Sequence, residues 1–206
     1  MGESCCESKS TELNALKLKQ KSVLQWVLVL NALMFVLEFS FGMISHSSAL
    51  LADSLDMLGD SMVYAFSLYV LNKNSRWIAG ASLLKGTFMA LFGVLVLGQA
   101  MYRLWAGTLP ESGTMGLVGA LALAVNMICL ILLYKHRSDD INMSSTWLCS
   151  RNDIIANVGV IGASVLVGAT QSIWPDTIVA MAIAGLFLKS SMQVIGAAKI
   201  EYSAAT

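Results

Sequence analysis

Six long apolar stretches follow one another along this chain with little between them: residues 23–44, 48–71, 77–104, 113–134, 143–168 and 175–197. A helix that crosses a bilayer needs about 20 mostly apolar residues, because no water is at hand to satisfy its backbone groups. All six qualify. The runs are continuous rather than alternating, which excludes a closed β-barrel. Only 13% of residues are charged, against roughly 25% in soluble domains. The chain is expected to be an all-α integral membrane protein, a six-transmembrane-helix bundle over residues 23–197. A polar N-terminal tail (1–22) and a short C-terminal tail (198–206) flank it.

Net charge is zero, but its distribution is informative. Lys9, Lys17, Lys19 and Lys21 precede the first stretch; Lys73 and Arg76 follow the second; Lys135 and Arg137 follow the fourth. Lys189 and Lys199 lie at the end of the sixth. All of these fall on one side of an up-and-down bundle, so both termini are expected to be cytoplasmic. Arg103 lies on the opposite side, and Lys85 and Arg151 lie inside helices. The stretch before Val23 contains Glu3, Glu7 and Glu12 and does not read as a signal peptide. Trp26, Trp77, Trp105 and Trp174 fall where aromatic belts sit. Cys5 and Cys6 lie in the tail, and Cys129 and Cys149 in helices, which is not a disulfide framework. The charge pattern asks for a lipid bilayer, not for nucleic acid.

The second stretch carries Asp53, Asp56 and Asp60; the fifth carries Cys149, Asp153 and Asn157 at i, i+4, i+8. Four apart on a helix is one face, one turn up. Carboxylates in hydrocarbon are costly and mark function by default. Three of them and a thiol cannot all ionise side by side without a counter-charge, and a divalent cation supplies one. Its ligands must be deprotonated, so binding releases protons. A site of this kind in a two-faced bundle exchanges metal for protons. One soft and three hard donors suit tetrahedral Zn²⁺ or Cd²⁺, and serve Mg²⁺ poorly.

The run Ser48-Ala49-Leu50-Leu51-Ala52-Asp53-Ser54-Leu55-Asp56-Met57-Leu58-Gly59-Asp60 resembles the second-helix signature of the cation diffusion facilitator family. Cys149-x-x-x-Asp153, followed by Val158-Gly159-Val160, resembles its fifth-helix motif. Pro175-Asp176 and the pair Asn31 and Glu38 also fit. The resemblance implies export of Zn²⁺ and related ions such as Cd²⁺ or Co²⁺ by proton antiport, as a homodimer with alternating access, in a bacterial inner membrane. It carries the tetrahedral site over to Asp56, Asp60, Cys149 and Asp153. A secondary transporter with no cofactor, rather than an enzyme, is implied. Cys149 stands where the family has His or Asp, and the chain is expected to lack the family's cytoplasmic C-terminal domain. A dimer is therefore expected to be held by the membrane helices.

Other polar residues keep alternatives open. Asp53 is an outer ligand, a proton relay or a structural contact. Asn31 and Asn157 line the path or bond between helices. Lys85 is expected to neutralise a carboxylate, Glu38 among the candidates, and Arg151 to pair or snorkel. His46, at the outer mouth, is a solvated turn residue or a point where metal is shed or picked up. His136, with Asp139 and Asp140, and Cys5 with Cys6, are candidate metal attractors at the cytoplasmic entrance. An intramembrane aspartyl protease would also need two Asp on different helices, but i,i+4 pairs with a thiol are ligand spacing, and Gly-x-Gly-Asp is missing around Gly59-Asp60. A non-transporting structural membrane protein would leave the buried acids unexplained.

Overall fold

A computed structural model describes the backbone over residues 3–70, 75–135 and 141–204, and side chains over most of 21–65, 83–135 and 153–196. The side chains of Cys5, Cys6, Trp77, Lys85, His136, Asp139, Asp140, Cys149 and Arg151 lie outside the described residues. So do those of Lys73, Arg76, Arg137 and Lys199.

The described backbone forms α1 (Glu3–Ile44), α2 (Ser48–Val70), α3 (Ser75–Ala106), α4 (Ser112–Tyr134), α5 (Ile141–Thr170) and α6 (Trp174–Ala204). The six helices fall on the six apolar stretches. The largest departure is α1, which begins about 20 residues before the expected span. Its extra part, with Glu, Leu, Ala, Lys and Gln recurring, consists largely of residues that lose little on entering a helix. By length and apolarity, four described segments can cross a membrane: Lys21–Ile44, Gly86–Ala106, Ser112–Tyr134 and Asp153–Thr170.

The helices sort into two groups. α1, α2, α4 and α5 form a bundle in which α1 packs on α2 and α4, and α4 on α5; α3 and α6 form a closely packed pair beside it. α2 belongs to the bundle yet also touches both members of the pair. Ser47 and residues 48–55 of α2 are all buried. The main core gathers Leu50, Leu51 and Leu55 of α2 with Val160 and Ala163 of α5 and Ala180, Ala184 and Phe187 of α6.

Glycine sets the closeness of the pair. A Cβ on Gly86 of α3 would lie 2.7 Å from Ile195 Cγ1 and 3.3 Å from the Ser191 carbonyl oxygen of α6. Close backbone approach of this kind replaces the hydrophobic drive that lipid cannot supply between helices. The same logic holds α4 to α5, where a Cβ on Gly116 would meet Ser164 Oγ at 2.9 Å. Gly119 of α4 packs likewise, on Val160 and Ile161 of α5, whereas Gly113 nears only Glu111.

The turns after α1, α3 and α5 share one end of the molecule, here the hairpin end; the start of α1 and the end of α6 lie at the other, the terminal end. His46, exposed in the α1–α2 turn, has φ +55°. That is the turn position expected of it, in the left-handed region where non-glycine residues are uncommon. Trp105 and Trp174 are exposed near helix ends and Trp26 near the start of the Lys21–Ile44 segment, as interface residues are.

Candidate metal site between α2 and α5

α2 and α5 face each other through their polar residues. Spacing of three and four places Asp53, Asp56 and Asp60 along one side of α2. On α5, Asp153 and Asn157 point back at them, one turn apart. Asp53, Asp60 and Asp153 are buried, and Asp56 is half-buried. The carboxyl groups of Asp56 and Asp153 are joined by a hydrogen bond across the two helices. Two carboxyl groups make such a bond only around a proton. Asp60 lies within electrostatic range of both, and its Oδ2 accepts from the Tyr64 hydroxyl at 2.8 Å.

Of the four expected ligands, Asp56 and Asp153 thus meet, with Asp60 within electrostatic range of both. The fourth, Cys149, lies on the α5 backbone one turn before Asp153, and its side chain is outside the described residues. Among the described residues, no three His, Cys, Asp or Glu side chains close around a single point. The donor set, hard carboxylates with a soft sulfur on the adjoining turn, remains one that suits a tetrahedral divalent ion.

One turn toward the hairpin end, Asn157 Nδ2 donates to Asp53 Oδ2 at 3.1 Å and to the Asp153 carbonyl at 2.8 Å. Asn157 therefore bonds between helices, and Asp53 is engaged in that contact. Asn31 likewise bridges: its Nδ2 donates to Val27 O at 2.8 Å and approaches Cys129 Sγ of α4 at 3.8 Å. Glu38 is fully buried on α1, within electrostatic range of Asp53 and Asp56. Its carboxyl oxygens find no hydrogen-bond partner among the described residues. Lys85, its suggested partner, is outside them.

Two features escaped sequence reasoning. Tyr64, buried, orients Asp60 from one turn further along α2; an i,i+4 Asp–Tyr pair was the available signal. Asp176 of α6 reaches the start of α2, accepting from Ser47 Oγ at 2.6 Å, Ser48 N at 2.8 Å and Ala49 N at 3.0 Å. Arg103, expected merely to lie on the far side, is buried at the same end and donates to Gly42 O at 3.4 Å.

Residues 24–198 match the family described as the cation efflux transmembrane domain. The chain is 28% identical to the metal cation efflux system protein CzcD of Cupriavidus metallidurans over 84% of its own length and 60% of that protein. It is 23% identical to the zinc transporter ZitB of Yersinia pestis, covering 81% of this chain and 57% of the other. It is 24% identical to the cadmium, cobalt and zinc/H(+)-K(+) antiporter of Bacillus subtilis, covering 77% and 56%. The chain therefore spans somewhat over half the length of the curated relatives it matches. With the match running through all six helices and across both halves of the α2–α5 site, the chain belongs to the cation efflux family.

Proposed function

We propose that this protein carries a divalent metal cation, Zn²⁺ with Cd²⁺ and Co²⁺ as further cargo, out of the cytoplasm in exchange for protons. The cation binds Asp56, Asp60, Cys149 and Asp153. One observation carries the proposal: the carboxyl groups of Asp56 and Asp153 meet across the α2–α5 interface, which two carboxylates do only with a proton or a cation between them. An arriving cation takes that proton's place, because metal ligands must be deprotonated. It also draws Asp60 away from Tyr64. Binding from one side thus releases protons, and protons returning from the other side expel the metal.

Family membership and the printed specificities of the relatives, metal cation efflux for CzcD and zinc transport for ZitB, support the cargo class. Cys149 biases the choice toward softer ions. Both termini are read as cytoplasmic from the basic residues, in a bacterial inner membrane, and the protein as a homodimer joined through its membrane helices. An aspartyl protease would use a similar shared proton, but it has no need of a family built for cation efflux.

Reconstituted in sealed vesicles with a pH reporter inside, the protein is expected to move Zn²⁺ and protons in opposite directions, and Asp153→Ala to abolish both fluxes. Zinc flux without proton counterflow would refute the antiport. Unchanged flux in Asp153→Ala would refute the site.

A further inference from the structure

Asp176 is fully buried at the hairpin end of α6, yet its carboxylate serves another helix. The first turn of any helix leaves backbone N–H groups without partners and carries a partial positive charge. At α2 two of these, Ser48 N and Ala49 N, are satisfied by Asp176, together with the Ser47 hydroxyl. Ser47 in turn accepts from Leu50 N at 3.1 Å. An ordinary helix caps itself with its own Ser or Asp. Here the anionic cap belongs to α6, a member of the α3–α6 pair, while α2 belongs to the bundle.

Further along, the α2–α6 contact is apolar and non-directional: Gly59 lets Phe187 approach, and Ala180 and Ala184 lie against the leucines of α2. The other helix of the pair is tied to the bundle at the same end, by Arg103 on the Gly42 carbonyl of α1. Beside Asp176, a groove of about 360 Å³ lies between α5 and the hairpin half of α6, lined by Gly159, Gly162, Leu166, Trp174 and Ile178 among others. Directional, charge-assisted bonds at one end of an interface, apolar packing along the rest and open space beside it make a joint that holds or releases as a unit.

From this we infer that Asp176 is a latch that keeps the hairpin ends of α2 and α6 together, closes the metal site on that side, and lets go of α2 when the site opens there. Asp176 is a positioning residue; it touches no cation. The inference rests on the transport reading above for its purpose, but its test does not.

Ala180, one turn from Asp176 on the same face of α6 and fully buried, becomes reachable only if α2 and α6 part. Cysteine placed there (Ala180→Cys) reports parting by its rate of modification with N-ethylmaleimide, read by peptide mass spectrometry on the full chain in proteoliposomes. Ser191→Cys, buried toward the terminal end of α6, is the control. Adding Asp176→Ala is expected to speed modification at 180 by about tenfold or more, the scale of losing a good cap, with position 191 unchanged. Equal rates at 180 overturn the latch, and so does a parallel rise at both positions, which is general loosening. If Asp176→Ala does not fold, Ser47→Ala stands in: a smaller rise at 180 alone supports the latch, and none overturns it. Zinc flux measured on the parent separates the two ideas, since a parent without flux removes the transport reading while the labelling rates still judge the latch.

Discussion

Asn157 ties Asp53 to Asp153: one amide nitrogen donates to the side chain of the first, on α2, and to the backbone carbonyl of the second, on α5. The two helices that carry the expected ligands are therefore held in register by a neighbour that ligates nothing. Replacing Asn157 with Ala leaves the buried Asp53 without this donor. Stability should fall by about 1–3 kcal/mol, measured by denaturant unfolding in detergent, with zinc transport impaired as the α2–α5 register loosens.

Asp56→Ala and Asp153→Ala each remove a proposed ligand and half of the shared-proton pair. Zinc affinity, measured by competition with a chelating dye, should drop by more than about 100-fold. That exceeds the 10–100-fold typical of losing an outer-shell partner. A loss of only a few-fold would mean that the cation binds elsewhere.

Cys149→His exchanges a soft donor for an intermediate one. The ratio of Cd²⁺ to Zn²⁺ transport should fall, with Zn²⁺ transport retained, because imidazole suits Zn²⁺ and thiolate favours softer ions. Flux assays with the two ions in competition provide the measurement.

Zinc binding should weaken as pH is lowered. Each ligand that must lose a proton to bind metal adds about one tenfold change in affinity per pH unit while it is protonated in the free protein. The proton between Asp56 and Asp153 predicts a slope of at least about one over the range in which that proton is present. Titration calorimetry in buffers of different ionisation enthalpy counts the released protons directly.

Two glycines of α3 should respond in opposite ways to alanine. At Gly86 the new Cβ meets Ile195 and the α6 backbone, so Gly86→Ala should cost about 1–3 kcal/mol of stability. At Gly98 nothing lies within 4 Å of that position, so Gly98→Ala should be neutral or stabilising, by up to about 1 kcal/mol. Thermal unfolding in detergent distinguishes the pair.

The helices and the spacing of the acids were legible because both are local properties. Apolar run length marks a span, and residues four apart share a face whatever surrounds them. The direction in which each helix turns that face is not local. The sequence placed Asn157 on the right side of α5 but left its partner open between a path and another helix; only the packing of α5 on α2 assigns it to Asp53. Asp176 looked like the opening residue of α6, which it is, but the N–H groups it satisfies belong to a helix more than 120 residues earlier in the chain. Arg103 lies on the side expected of it, but its burial and its bond to the Gly42 carbonyl of α1 are tertiary and so not legible in the sequence.

Residues 47–55, which lead into and open α2, are all buried, as are Asp60 further along α2 and Asp153 on α5, while Leu117 of α4 and Leu186 of α6 stand 74% and 70% exposed at the periphery. These parts of the ligand-bearing helices are thus insulated from lipid by their own neighbours. Changes of acyl-chain length or headgroup reach the site only after displacing a surrounding helix. The choice of cation should accordingly be indifferent to bilayer composition, even where the speed of transport is not.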